Sequence, residues 1–219
     1  MKMKRVRNPF GTIAIIIMIV FWMINLILTK ENLIHTLFWG GGKLTEYTGI
    51  SYASVFSQHE FWRLITYGYT QTAIWHLVAN VLAVWIVSLY LEPKCGIWKF
   101  LLFYHVCMIL AGIGMTLLYP QGVNYGASPA VFACLGLLAH WLVVNRKLWQ
   151  EYKQQDGWRY LLYYLILGNV LGISSLIFHL LGFILGYLFG YFIKGDSNCK
   201  YKTFNKYILL YNRIRKRNT

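Results

Sequence analysis

The sequence predicts an all-α membrane protein folded as a bundle of six transmembrane helices. Three observations carry that prediction. Of the 219 residues, 58% are hydrophobic and only 13% are charged, a composition too apolar for a soluble domain of this size. Several apolar runs approach the ~20 residues that a helix needs to cross a hydrocarbon core about 30 Å thick. The basic residues behind the net charge of +14 cluster between and after those runs. In a soluble chain that charge would suggest nucleic acid; here it reads as membrane topology, and no nucleic-acid partner is expected.

Residues 1–11 carry Lys2, Lys4, Arg5 and Arg7 and form a cytoplasmic N-terminus. The run 12–29 is long enough to span. No small-x-small cleavage site follows it, only Lys30-Glu31, so it is kept as the first span and not a signal peptide. Residues 30–71 form a long mixed loop with Gly40-Gly41-Gly42, several aromatics and Trp62-Arg63. That loop is too polar to span and too aromatic to be simply solvated, which places it in the membrane interface. Further spans follow at 72–91, 99–119 and 129–145. The stretch 160–193 is apolar throughout, and as one helix would measure about 51 Å, against a core of about 30 Å. It must break, and Gly172-Ile173-Ser174-Ser175 is the place, giving a short fifth span near 160–171 and a sixth near 176–193. Together 12–193 make the membrane domain, and 194–219 a basic cytoplasmic tail.

With the N-terminus inside, 18 of the 21 Lys and Arg residues fall on the inner side; only Lys30, Lys43 and Arg63 lie outside. The positive-inside rule is strongly obeyed, so both termini are expected in the cytoplasm. The tail, basic with interspersed Tyr, Ile and Leu, suits an anionic inner membrane surface or a disordered basic tail equally well. Cys95, Cys107, Cys134 and Cys199 show neither a CxxC nor metal-ligand spacing, so they read as core or inert thiols. No metal and no cofactor is expected.

In this orientation the second, fourth and sixth spans all run from outside to inside, so their first turns share one depth. At that depth lie His76 and Asn80 on the second, Ser128 at the start of the fourth, and His179 on the sixth. Polar groups within a bilayer are costly and face a bundle interior or a water-filled cavity. Ser128-Pro129 opens a helix: Ser is a favoured N-cap and Pro a favoured first residue, which sets the Ser128 hydroxyl near unpaired backbone donors. An ordinary cap would look the same. His76 and Asn80, four apart, share a helix face, and both can donate to a developing oxyanion. Interhelical hydrogen bonding is the plainer account of that pair. Glycines 182, 186 and 190 line one face of the sixth span at four-residue intervals. Such a face allows close approach to a neighbour. If that neighbour is the fourth span, His179 meets Ser128, a nucleophile beside a base. Asp156 and Asp196 lie on the inner side and no glutamate is placed within a span, so a Ser-His dyad is expected in place of a triad. His35, His59, His105 and His140 are assigned to structure or interface.

The chain at this point resembles the rhomboid family of intramembrane serine proteases over about residues 60–193. Trp62-Arg63 resembles the family's Trp-Arg, and His76-Leu77-Val78-Ala79-Asn80 its His-x-x-x-Asn. Leu91-Glu92 with Gly96 resembles the close of the second helix. Gly126-Ala127-Ser128 resembles Gly-x-Ser, and His179-x-x-Gly182-x-x-x-Gly186 the motif of the sixth helix. Gly-x-Ser alone is a weak signal, but the ordered set on six spans is a strong one.

The resemblance implies a rhomboid-like bundle with Ser128 as nucleophile and His179 as general base and later acid. It implies an oxyanion hole from His76, Asn80 and the Ser128 amide, with Phe132 packing on the catalytic histidine. Partners would be the lipid bilayer and single-pass membrane protein substrates, cut near the outer face. The expected location is a bacterial plasma membrane. Two positions depart from the family pattern: Pro129 stands where Gly is common, and Gln71 where many members have histidine. Neither removes an invoked donor. Pro129 narrows the expected substrate range, and Gln71 still hydrogen-bonds. A catalytically inactive protein that binds transmembrane clients is the competing reading. A transporter fits less well, since the polar cluster occupies only the outer half.

Overall fold

The computed structural model describes residues 8–29, 33–153, 163–166 and 173–195. Its frame is three helices long and apolar enough to cross a membrane: α1 (Pro9–Leu28), α5 (Ile74–Cys95) and α6 (Ile97–Leu118). Between α1 and α5 come α2 (Leu33–Trp39), α3 (Leu44–Thr48), a π-helical turn (Ala53–Ser57) and α4 (Arg63–Thr66). After α6 come α7 (Ser128–Val144), α8 (Arg146–Lys153) and, at the C-terminal end, α9 (Ile173–Phe189). Residues 163–166 are helical, and the remainder of the expected fifth span lies outside the described residues. Asp156, Asp196 and the basic segments 1–7 and 196–219 lie outside them too. Among the described residues there is no strand, only an isolated bridge between Ile50 and Asn124. The protein is an all-α membrane bundle.

α7 is the axis of that bundle. Every residue from 129 to 138 is buried, so this helix is apolar all round because protein surrounds it all round. With 17 residues against the 22 of α6, α7 is about 26 Å long and its neighbour about 33 Å.

The glycine face of the sixth span packs as its spacing predicts. A Cβ at Gly182 would overlap the Pro129 carbonyl, and one at Gly186 the Ala133 carbonyl. From the other side, a Cβ at Gly136 would overlap the Phe183 carbonyl. Residue numbers rise together along the contact, so α7 and α9 run parallel, with backbone on backbone.

The structure corrects four expectations. First, within the expected mixed loop 30–71, the described residues 33–71 are largely a chain of short helical pieces. Its anchor is Arg63, buried, which donates through Nε to Glu60 at 2.6 Å and through one terminal nitrogen to the carbonyls of Glu46 and Gly49 at 2.7 and 2.9 Å. Those carbonyls end α3, so one guanidinium closes the piece that polarity alone would have left unfolded. Phe38, Trp39, Tyr47, Phe61 and Trp62 remain exposed on this segment, which suits an interfacial position. Second, Glu92 lies inside α5 and is buried. Its carboxylate accepts from the Phe10 and Gly11 amides at 3.1 and 3.2 Å, capping the positive end of α1. Third, α9 begins at Ile173, so Ser174 and Ser175, expected in the break, are helical, and Gly172 lies outside the described residues. Fourth, Ser128 is not a helix cap, for reasons given with the site.

Two stability tests follow. Gly186→Val should lower stability by at least about 1–3 kcal/mol, because a backbone carbonyl cannot step aside as a side chain can. Gly41→Ala, with open space around its Cβ position but a φ of +84, should cost only the modest backbone term. Thermal unfolding in detergent reads both.

Candidate active site

Gly126 has φ +118, which an L side chain rarely adopts. Its N–H donates to the Tyr67 carbonyl at 2.8 Å, pinning the loop before α7 to the end of the outer segment. The next residue, Ala127, is already in the helical region at φ −75 and ψ −12. Its carbonyl accepts from Ala130 and Val131, each at 3.1 Å. Ala127 is thus the cap residue, Ser128 the first residue of the helix and Pro129 the second. No side chain caps this helix. The Ser-Pro pair marks the helix start, as its chemistry predicts, but one position earlier, and the Ser128 hydroxyl is not used as a cap.

His179 lies in the second turn of α9 and is buried. Its ring stacks on Phe132 with centroids 4.1 Å apart and planes within 6°. Phe132 and Ser128 are four residues apart on one face of α7. Pro129, between them, meets Gly182 of α9. The serine and the imidazole therefore flank the same backbone contact, on the two helices that make it.

The third contributor is α5. The His76 ring lies under the Gly126 loop: a Cβ at Gly126 would sit 2.9 Å from its Cε1 and 3.1 Å from its Nε2. Its centroid is 6.2 Å from that of Tyr125. One turn further along, Asn80 is buried; its Nδ2 donates to the Gln71 Oε1 at 3.0 Å and to the His76 carbonyl at 3.1 Å. The start of α7 is thus approached by His76 of α5, through the Gly126 turn, and by His179 of α9, through Phe132, so these residues and Ser128 border one candidate recess, with Asn80 one turn along α5.

Two residues at this recess were not marked by the sequence. Tyr164 stands 5.4 Å from Phe132 between ring centroids and directs its hydroxyl at the Asn80 Oδ1 at 3.4 Å. One tyrosine among seventeen carries no signal of that kind. Gln71, read above only as a tolerable replacement, is fully buried against Asn80. Its signal was an amide in the polar triplet Thr70-Gln71-Thr72 at the mouth of a span.

The remaining histidines sit elsewhere. His105 exchanges a 2.9 Å hydrogen bond with the Tyr69 hydroxyl and another with the Leu101 carbonyl. His140 packs edge-on between Tyr187 and Tyr191, deeper along α7. His35 and His59 lie in the outer segment, His59 with φ +58. Cys95, Cys107 and Cys134 are buried free thiols.

The family model of the Rhomboid domain matches residues 58–195. The chain is 36% identical over 107 residues to "Rhomboid-like protease 3" of Toxoplasma gondii, covering 48% of this chain and 41% of that protein. It is 38% identical over 95 residues to "Rhomboid protease GluP" of Bacillus subtilis (strain 168), covering 43% of this chain and 18% of that protein. It is 25% identical over 103 residues to "Inactive RHOMBOID-like protein 8" of Arabidopsis thaliana, covering 47% and 29%. The chain thus spans well under half the length of each of these relatives.

Gly126→Ala tests the construction of the recess. It combines a strained φ with a Cβ against the His76 ring, and should cost about 1–3 kcal/mol in thermal unfolding. Gly122→Ala, where the Cβ would meet only the Tyr119 side chain and no φ is strained, should cost less.

Proposed function

The chain belongs to the rhomboid family, and on that premise we propose that it is a serine endopeptidase cutting transmembrane segments near the outer face of the membrane. It is a multi-pass integral membrane protein. The observation that carries the proposal is the stacking of His179 on Phe132, one turn from a serine that does no capping. An imidazole fixed flat against an aromatic ring has one orientation, which a base must have before it can serve one hydroxyl.

In the proposed reaction a ring nitrogen of His179 takes the Ser128 proton as Oγ attacks the scissile carbonyl carbon. The carbonyl π pair moves onto oxygen. The Ser128 amide, His76 and Asn80 are the proposed donors to that oxyanion. Collapse breaks the C–N bond, and the leaving amine takes the proton back from His179. Water then attacks the acyl-serine and gives its proton to His179. Collapse of that intermediate releases the acid and returns the proton to Ser128. Pro129 lacks an N–H, but none of these steps uses an amide at that position.

Substrates in this reading are single-pass membrane proteins, and the recess supplies the polar setting that a hydrolysis needs inside an apolar bundle. Both termini face the cytoplasm, on the weight of 18 inward Lys and Arg residues. A bacterial plasma membrane is the proposed location. The second reading, a rhomboid-like protein that binds transmembrane clients without cutting them, is favoured only by the relative whose name begins with "Inactive".

The solubilised protein, incubated with a transmembrane-segment peptide bearing a small residue at its centre, should cleave it. Ser128→Ala and His179→Ala should show no cleavage; cutting at the parent's rate by either variant would exclude the mechanism. A fluorophosphonate should label Ser128 and fail to label the His179→Ala protein, whereas a client-binding protein would show no such dependence. Asn80→Ala should lower kcat about 10²–10³-fold, a smaller loss than Ser128→Ala. Phe132→Leu, which removes only the stack, should cost about 0.5–1.5 kcal/mol of transition-state stabilisation, read as kcat/KM.

A further inference from the structure

The amide side chain of Asn80 has two hydrogens to give, and both are spoken for. One goes to Gln71 Oε1 at 3.0 Å and the other to the His76 carbonyl at 3.1 Å. Its oxygen faces the Tyr164 hydroxyl at 3.4 Å. As it stands, Asn80 has no hydrogen left for an oxyanion. Gln71 is the converse. Its side chain is fully buried, its oxygen is engaged by Asn80, and its Nε2 has no hydrogen-bond partner among the described residues.

A buried amide nitrogen without a partner is costly, and a folded protein rarely leaves one without a use. Position suggests the use here. Gln71 Oε1 lies 3.9 Å from where a Gly126 Cβ would be, beside the His76 Nε2 at 3.1 Å from the same point. Nε2 shares its carbon with that oxygen, so it too lies close to the Gly126 turn. The segment carrying Gln71 is tied to the Gly126 loop through the bond from Gly126 N–H to the Tyr67 carbonyl at 2.8 Å. Gly126 is two residues before Ser128.

We propose that Gln71 is a further oxyanion donor, presenting Nε2 to the anion formed at Ser128 while its Oε1 is held by Asn80. The two amides act as one unit. Asn80 fixes the plane of the Gln71 amide and so decides which of its ends faces the recess; Gln71 supplies the free hydrogens. Asn80 reaches the anion itself only by sharing a hydrogen that it now gives to Gln71 or to His76. The inference rests on the protease reading and adds to it a donor that neither the family match nor the motif set singles out.

The test compares the parent with Gln71→Met and Gln71→Glu in detergent, on the same transmembrane-segment peptide, with thermal unfolding alongside. Methionine keeps the shape and removes both hydrogen-bonding ends. It should lower kcat about 10²-fold and leave KM within about threefold, the pattern of an interaction made only in the transition state. Glutamate keeps the oxygen that Asn80 holds and replaces the free donor. Protonated, it can still donate; ionised, it repels the anion. Its kcat should therefore recover as pH falls, relative to the parent measured at the same pH. The proposal is overturned if Gln71→Met keeps kcat within about threefold of the parent. It is equally overturned if kcat falls only as far as the folded fraction does and Gln71→Glu follows the parent's pH profile. A parent that neither cleaves nor takes the fluorophosphonate sinks the protease reading itself, whereas a cleaving parent with an unaffected Gln71→Met sinks this inference alone.

Discussion

The backbone contact between α7 and α9 is the constraint on which the rest depends. Gly182 on the Pro129 carbonyl and Gly186 on the Ala133 carbonyl bring two helix axes closer than any side chain would allow. In lipid there is little hydrophobic reason for two apolar helices to prefer each other over acyl chains. Association has to come from close van der Waals contact, which small residues provide. The same contact fixes register, because three matched positions leave no freedom to slide by a turn. Register is what puts His179 over Phe132. A helix pair held by large side chains would have left both the spacing and the phase of that ring open to adjustment.

The loop before α7 is the second constraint. It is fastened at Ile50, where Asn124 pairs with it, and at Tyr67, where Gly126 does. The segment between α1 and α5 therefore braces that loop as well as joining two helices. Arg63 organises it from within by collecting two carbonyls and the Glu60 carboxylate. Its charge is tolerable in a buried place because every partner is polar and close. At the opposite end of the bundle Glu92 does the reverse, bringing a carboxylate to two free amides of α1. Each charge answers unpaired backbone groups at an element's end, a need that is acute where water cannot supply partners.

These two charges also show how far the sequence could be read. The apolar runs at 12–29, 72–91, 99–119 and 129–145 gave helices within a few residues, because in a membrane length and hydropathy are the governing physics. The glycine spacing gave the α7–α9 contact. The segment 30–71 was read as interfacial but not as helical, since its pieces are too short to stand on propensity and α3 is completed by Arg63 from further along the same segment. Glu92 was read as lying beyond its span, because a carboxylate near Lys94 looks like a boundary until the amides of α1 are set against it. At the proposed site, His76, Asn80, Ser128, Phe132 and His179 were each singled out from spacing or resemblance. Tyr164 was not, because nothing local distinguishes it.

Ser128 is the case in which the sequence and the structure disagree by one residue and the difference matters. Serine before proline argues for a cap, and a capping serine would have its hydroxyl committed to a backbone amide. The glycine at 126 changes this. By turning the chain at φ +118 and fastening it to Tyr67, it lets Ala127 enter the helical region first and take the cap position. Ser128 then joins the first turn, and its own N–H stays at the helix's positive end. Proline next to it removes a donor that would otherwise lie unpaired in an apolar bundle. The motif Gly-Ala-Ser-Pro thus separates two roles that a plain Ser-Pro start would merge: one residue begins the helix, and the next is left with a hydroxyl that the fold does not need.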